Sequence, residues 1–187
     1  MSKKPSYTPM MKHYLEVKEQ HKDAIIFYRL GDFYEMFFDD AKTASQELDL
    51  VLTGRNAGVE ERVPMCGIPY HAAKGYIERL IQKGYKVAIV EQLEDPALAK
   101  GLVKRDVIKI VTPGTIMDEV SDEKNTVYIA SLHDYQFGLA VILCEMTTGE
   151  MRAQLIDKQV MAIQKVLLGN NVKEVVVEEN LIKRLLK

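Results

Sequence analysis

Phe33 and Glu35 lie two residues apart in the run Phe27-Tyr28-Arg29-Leu30-Gly31-Asp32-Phe33-Tyr34-Glu35-Met36-Phe37-Phe38. In an extended chain, residues i and i+2 project from the same face, so the ring and the carboxylate address one target. A flat apolar wedge beside a hydrogen-bonding acceptor suits a base exposed in the minor groove of a deformed duplex. There, apolar side chains enter a base step and polar groups read its edge. Ordinary burial habits supply a second reading, with Phe33 in a core and Glu35 solvated on a strand. The spacing alone leaves both open.

Further blocks narrow the choice. Thr8-Pro9-Met10-Met11 opens a helix ahead of Phe27 to Glu35, and Val63-Pro64-Met65-Cys66-Gly67-Ile68-Pro69-Tyr70-His71-Ala72 follows. Then come Val90-Glu91-Gln92, Asp95-Pro96 and Ile110-Val111-Thr112-Pro113-Gly114-Thr115. In order and spacing these blocks resemble the N-terminal part of the bacterial MutS family of mismatch-recognition proteins, over residues 8 to 118. From about Asn125 onward the similarity rests on pattern.

The resemblance implies that Phe33 inserts beside a mispaired base in kinked duplex DNA and that Glu35 hydrogen-bonds that base. If the target is an acceptor such as a purine N7, that bond requires a protonated carboxyl. Arg55, Gly67 and Ile68 are candidate backbone or groove contacts. It also implies mismatched double-stranded DNA and a MutL-type protein as partners, the latter through a connector domain. In the full-length family, dimerisation and an ATPase using ATP and Mg²⁺ belong to other regions.

For the chain itself, no enzymatic activity and no cofactor are expected. A phosphate loop needs G-x-x-x-x-G-K-[ST], and no Gly-Lys pair occurs in the sequence. After Gly58 the segment Thr53-Gly54-Arg55-Asn56-Ala57-Gly58 continues with neither the lysine nor the hydroxyl residue that Walker chemistry requires, and it reads as a turn between strands.

Charge bears on DNA affinity. Over residues 1–118, Lys plus Arg and Asp plus Glu number 17 each, and the whole net charge of −2 falls in residues 119–187. Phosphate contacts supply most non-specific affinity, so this chain alone is expected to grip a duplex weakly. With 47% hydrophobic and 28% charged residues it reads as soluble and globular. The basic start Met1-Ser2-Lys3-Lys4-Pro5 is not followed by an apolar secretory segment. Cys66 and Cys144, in apolar stretches, read as reduced thiols, and a cytoplasmic location is expected.

These residues must be positioned by an α/β fold: a mixed-sheet N-terminal domain, then a partial RNase H-like α/β domain. The pattern predicts a helix from Thr8 and Pro9, a strand over Ala24–Leu30, and a kink or bulge at Gly31-Asp32. A helix from Asp39 through Leu48 follows, then strands over Leu50–Thr53 and Val63–Ile68 around a charged loop. His71–Lys83 reads as a helix with Ala72, Gly75, Tyr76, Leu80 and Ile81 on one face, ending at Gly84. Tyr85–Gln92 and Val103–Val111 read as strands, with Lys104 and Arg105 at a solvated strand end. Domain boundaries are expected at residues 1–118, a linker over 119–125, and 126–187 for a connector that looks cut short. In it, strands over Thr126–Leu132, Phe137–Leu143 and Glu150–Ile156 precede a helix over Met161–Leu168. Val172–Val177 then reads as a buried strand, and Leu181–Lys187 as a helix.

Two rival functions remain: a metal-dependent RNase H-like nuclease and a purely protein-interacting module. Glu145, at a strand end before Thr147-Thr148-Gly149, is the candidate metal ligand, with Asp134 as the nearest second carboxylate. Two-metal chemistry needs several convergent carboxylates, which disfavours the nuclease. His71 has no partner at metal-ligand spacing.

Overall fold

The structure is a computed structural model that describes residues 6–94, 101, 103–115 and 126–185. Its contacts divide into two compact units, Met1–Thr112 and Pro113–Lys187. The expected linker over 119–125 and the block Asp95-Pro96 lie outside the described residues. Gly114 belongs with the second unit: a Cβ there would stand 2.6 Å from Ile129 Cγ1 and 2.9 Å from Glu174 Cβ.

In the first unit, Thr8 caps α1 (Pro9–Gln20) by accepting from Met11 N, with Pro9 in the first turn. There the missing N–H costs nothing. Strand β1 (Ala24–Leu30) turns directly into β2 (Phe33–Phe37), with Leu30 paired to Phe33. Gly31-Asp32 is therefore a two-residue hairpin loop and not a kink. Gly31 has φ +57°, the left-handed geometry that tight hairpins demand of their first loop residue.

The chain then enters α2 (Phe38–Leu48) with no connecting loop. Phe38 makes that reversal at φ +54°, a conformation that costs a residue with a Cβ about 1–2 kcal/mol. Its ring is held against Tyr7 and Tyr14.

Beyond α2 come β3 (Thr53–Arg55) and β4 (Val63–Pro69). Strand β3 begins where the sequence pattern ended a strand, because Val51 and Leu52 stay exposed and unpaired with the sheet. Correspondingly, Thr53–Arg55 is a ladder segment and not a turn. A 3₁₀ turn at Tyr70–Ala72 leads into α3 (Ala73–Gln82), and Gly84 follows at φ +87°. The buried face of α3 is Ala73, Ile77, Leu80 and Ile81; Gly75 is exposed. Leu80 and Ile81 lie on this face as expected, whereas Ala72 and Tyr76 give way to their neighbours Ala73 and Ile77. The unit closes with β5 (Lys86–Gln92) and β6 (Arg105–Val111).

The sheet order is β3-β4-β2-β1-β5-β6, with β1 and β5 parallel and the other pairs antiparallel. The expected mixed sheet is observed. Met11, Tyr14 and Val17 of α1 pack with Ile26, Tyr28, Phe37, Val63 and Val90 on one face. The alternate residues Met36 and Cys66 are buried with α2 on the other, where Cys66 Sγ approaches Ala41 O at 3.4 Å. Burial pushes the Cys66 thiol up to about 11.

The second unit holds β7 (Tyr128–Tyr135), β8 (Gly138–Glu145), β9 (Met151–Ile156), α4 (Val160–Gly169), β10 (Val172–Val177) and α5 (Glu179–Leu185). Its sheet order is β10-β7-β8-β9, with β10 parallel to β7. Tyr128, Ala130, Leu132, Val141 and Leu143 form its core with Ile163 and Leu181. The expected buried strand Val172–Val177 is an edge strand, and Val175 and Val176 are exposed. Val172 and Val177 pack against the core, so the β-branched run is half-buried, as such runs on a pleated surface are.

One buried carboxylate links three elements of the first unit. Asp40 accepts from Tyr14 Oη at 2.8 Å, Lys18 Nζ at 2.8 Å and Ile26 N at 3.0 Å. Burial and the Asp40 carboxylate hold the Tyr14 hydroxyl well above its ordinary range. Removing one member of a buried, hydrogen-bonded charge pair costs about 3–5 kcal/mol, so Asp40→Ala is expected to destabilise the first unit by about 3 kcal/mol or more. Urea unfolding followed by circular dichroism reads this directly. Asp39→Ala, at an exposed neighbour paired to Lys42, should leave the midpoint nearly unchanged.

Candidate nucleic-acid interface

Strand β2 places Phe33 and Glu35 on one side and Tyr34 and Met36, both buried, on the other. Phe33 is 47% exposed, so it is not a core residue. Its partners across the ladder are Leu30 on β1 and Pro69 on β4, and those of Glu35 are Tyr28 and Gly67. Directly paired residues share a face, and Leu30 and Tyr28 pack with α1. Phe33 and Glu35 therefore occupy the α1 face of the sheet, at its hairpin end. There a cavity of about 350 Å³ opens, lined by Thr8, Met10, Leu30, Arg55 and Arg105 among others.

Glu35 is not a solvated strand residue either. Its side chain is 16% exposed, and Oε2 accepts from Arg55 Nη1 in an ion pair. Gly67, directly opposite, leaves it room: a Cβ there would stand 3.4 Å from Glu35 Cγ and 3.3 Å from Tyr34 O. Arg55 is 38% exposed, its guanidinium 6.0 Å from the centre of the Phe37 ring.

Ile68 does not join this group. It is 1% exposed and pairs with Tyr34 on the face turned toward α2 and α3, so its side chain cannot reach a groove. The residue level with Phe33 is Pro69. Period-two alternation along β4 makes that substitution, but only once its register against β2 is known.

A supporting cluster lies behind the hairpin. Arg29 Nε donates to Gly31 O at 2.5 Å, and its guanidinium lies 3.6 Å from the centre of the Tyr70 ring. Arg29 also pairs with Glu91 at 3.4 Å, and Tyr34 Oη donates to the same carboxylate. Burial, and then the Glu91 carboxylate, push Tyr34 up to about 12. Tyr70 N donates to Asp32 O at 2.9 Å, tying the turn to the end of β4. Sequence pattern alone gives Arg29 and Tyr70 no role, because their partners are non-local.

Arg105 is buried and not solvated as expected; Nε donates to Arg29 O at 2.9 Å and Nη1 to Val103 O at 2.8 Å. Its guanidinium also lies over the Tyr28 ring, 5.4 Å from the ring centre, in a cation–π contact. Lys104 is exposed, and so is His71, whose ring meets that of Tyr70 edge-on.

In the second unit, Glu145 is 5% exposed and accepts from the backbone N–H of Thr147 at 2.9 Å and of Thr148 at 2.7 Å. Both threonine hydroxyls donate to it as well. Those hydroxyls, first of all, and then the backbone N–H groups pull its pKa down to about 2. Asp134 pairs with Lys158 and Arg184. In the β7–β8 ladder Asp134 sits opposite Leu139 and Glu145 opposite Tyr128, at the two ends, so these carboxylates do not converge on one metal. Among the described residues, no group of three or more His, Cys, Asp or Glu side chains is placed to hold a metal ion. Nor is any helix among them long and apolar enough to cross a membrane.

The model of the MutS domain I family matches residues 8–120. The chain belongs to the MutS domain I family. A DNA mismatch repair protein MutS from Acetivibrio thermocellus is 61% identical over 146 residues, 78% of this chain and 17% of the relative. One from Clostridium botulinum is 50% identical over 180 residues, 96% of the chain and 19% of the relative. One from Bacillus subtilis is 55% identical over 154 residues, 81% and 18%. The chain thus spans under a fifth of the length of these three curated relatives.

The low pKa of Glu145 predicts acid sensitivity. A carboxylate whose folded value lies near 2, below its ordinary 4.5, stabilises the fold fully above 4.5, and this is lost as pH falls toward 2. Thermal melts between pH 6 and pH 2 should show Glu145→Gln losing less stability on acidification than the parent. Equal slopes would mean that the threonine cradle contributes nothing to folding.

Proposed function

We propose that the first unit recognises mispaired bases in duplex DNA, in the mismatch-repair role that the names of its relatives state. On this reading Phe33 enters a base step from the minor groove and Glu35 hydrogen-bonds the mispaired base. The carrying observation is the exposure of Phe33 beside Glu35 on one face of β2, while the alternate residues of that strand are buried. Unstacking a step costs a few kcal/mol, less where the base is already mispaired. Mismatched steps also deform more readily, which adds indirect readout. Arg55, paired with Glu35, Gly67, opposite Glu35, and, in place of Ile68, Pro69, opposite Phe33, are read as backbone or groove contacts.

The second unit supports a connector role. A three-stranded meander followed by α4 and a strand parallel to β7 fits the start of an RNase H-like fold. We read it as a protein-binding connector for a MutL-type partner, with its carboxylates spent on internal bonds. ATP hydrolysis with Mg²⁺ and dimerisation are, on this reading, properties of family regions outside the matched segment, and the protein acts in the cytoplasm.

Two outcomes test the reading. In a MutS polypeptide of the relatives' full length that begins with this segment, Phe33→Ala should bring affinities for a G·T duplex and its matched control together. The loss on the mismatch should be about 1–3 kcal/mol, the worth of one base–aromatic stack. A variant that keeps the parent's preference would rule out the wedge. The 187-residue chain alone, with balanced charge over residues 1–118, should bind either duplex weakly at physiological salt. Fluorescence anisotropy showing tight, salt-insensitive binding would contradict this.

A further inference from the structure

Three arginines bond to residues of the β1–β2 hairpin, and two of them are committed to the protein. Arg29 is tied to Gly31 O, Glu91 and the Tyr70 ring; Arg105 is buried on the carbonyls of Arg29 and Val103. Arg55 differs from both. It is 38% exposed at the edge of the cavity, and its ion-pair partner is Glu35, the group assigned to the base. Both ends of that pair are therefore wanted by DNA, the carboxylate by a base and the guanidinium by a phosphate.

We propose that Arg55 determines specificity by exchanging partners: it holds Glu35 in an ion pair in the free protein and on matched DNA, and moves to a phosphate once Glu35 bonds a mispaired base. The proposal rests on the mismatch-recognition reading. Glu35 is largely buried, so releasing Arg55 without a replacement would strand a carboxylate beside a polyanion, a costly state. A matched step that refuses the wedge presents no replacement donor, and the pair stays closed. A mispaired base with a free N–H, as thymine carries in a G·T pair, supplies the donor, and the freed guanidinium gains a charge-assisted bond to phosphate. The two events are linked, so each strengthens the other by the same factor. Arg55 then adds affinity where the base is mispaired and withholds it elsewhere. A constitutive phosphate contact would add affinity to both duplexes alike.

The slope of log affinity against log salt counts phosphate contacts, at about 0.9 per contact on duplex DNA. It should be measured on matched and G·T duplexes for the full-length polypeptide and its Arg55→Ala, Glu35→Ala and doubly substituted variants. Arg55→Ala is expected to lower the slope by about 1 on the mismatch and to leave the matched slope unchanged. Glu35→Ala, which frees Arg55, should raise the matched slope by about 1, and the double variant should lose that gain. Equal slope loss on both duplexes in Arg55→Ala would make Arg55 an ordinary phosphate contact and overturn the exchange. No slope change on either would make it a structural partner of Glu35 and would overturn the exchange as well. Phe33→Ala measured alongside separates the two readings. Loss of mismatch preference there without the Arg55 pattern sinks the exchange alone, whereas a parent lacking any preference sinks both.

Discussion

A buried carboxylate is the constraint on which the first unit depends. The printed β1–β2 pairing stops at Tyr28 and Glu35, and Phe37, which the register would bring opposite Ile26, gives its own N–H to Tyr14 Oη instead. The Ile26 N–H would be orphaned there, and an unpaired buried donor costs about 1–3 kcal/mol. Asp40 takes the place of the missing strand, and the same carboxylate receives Tyr14 and Lys18 from α1. Tyr14 Oη also accepts from Phe37 N at 3.3 Å, the last residue before the left-handed Phe38. One side chain thus sets where β2 ends, how α1 lies on β1, and the angle at which α2 leaves. Strand β2 is only five residues long, so fixing its end fixes Phe33 and Glu35 as well.

The same compensation runs through the charged groups at the hairpin. Glu35 has Arg55; Glu91 serves both Arg29 and Tyr34; the guanidinium of Arg105 is spent on backbone carbonyls. This is how a face proposed to meet DNA coexists with zero net charge over residues 1–118. Arg29 and Arg105 shape and hold the hairpin, and on the proposed reading bulk attraction to phosphate is not theirs to supply. A supporting shell of this kind keeps a short turn in one geometry, so little ordering remains to be done when the ring meets its target.

What the sequence made legible divides along the line between local and non-local physics. The cap at Thr8 with Pro9, the strand Ala24–Leu30 and the glycine after α3 follow from neighbours in the chain, and the structure has them. The common face of Phe33 and Glu35 was readable too, because period two holds inside any strand whatever its partners. Ile68 against Pro69 was not, since choosing between them needs the register of β4 on β2. Arg105 read as solvated for the same reason: its partners, Arg29 O and the Tyr28 ring, come from a strand 76 residues away in sequence. Val172–Val177 is legible in part: Val172 and Val177 pack on the core, while Val175 and Val176 are exposed where β10 pairs, among the described residues, with β7 alone.

Exposure of Phe33 carries its own energetic logic. Full burial of such a ring is worth roughly 1.5–3 kcal/mol, and a residue left 47% exposed forgoes part of it. Its ladder partners Leu30 and Pro69 stand on either side without covering it. Stacking in a base step returns about 1–3 kcal/mol, while opening the step costs a few kcal/mol. On a matched step the two nearly cancel, so the wedge has no strong reason to enter. A mispaired step has already lost part of its stacking and pairing, and that deficit alone tips the sum. Discrimination on the proposed reading therefore does not require a large binding energy at the ring. It requires a ring held ready at little entropic cost, which is what the Gly31 turn, the Arg29–Tyr70 stack and the Asp40 anchor together provide.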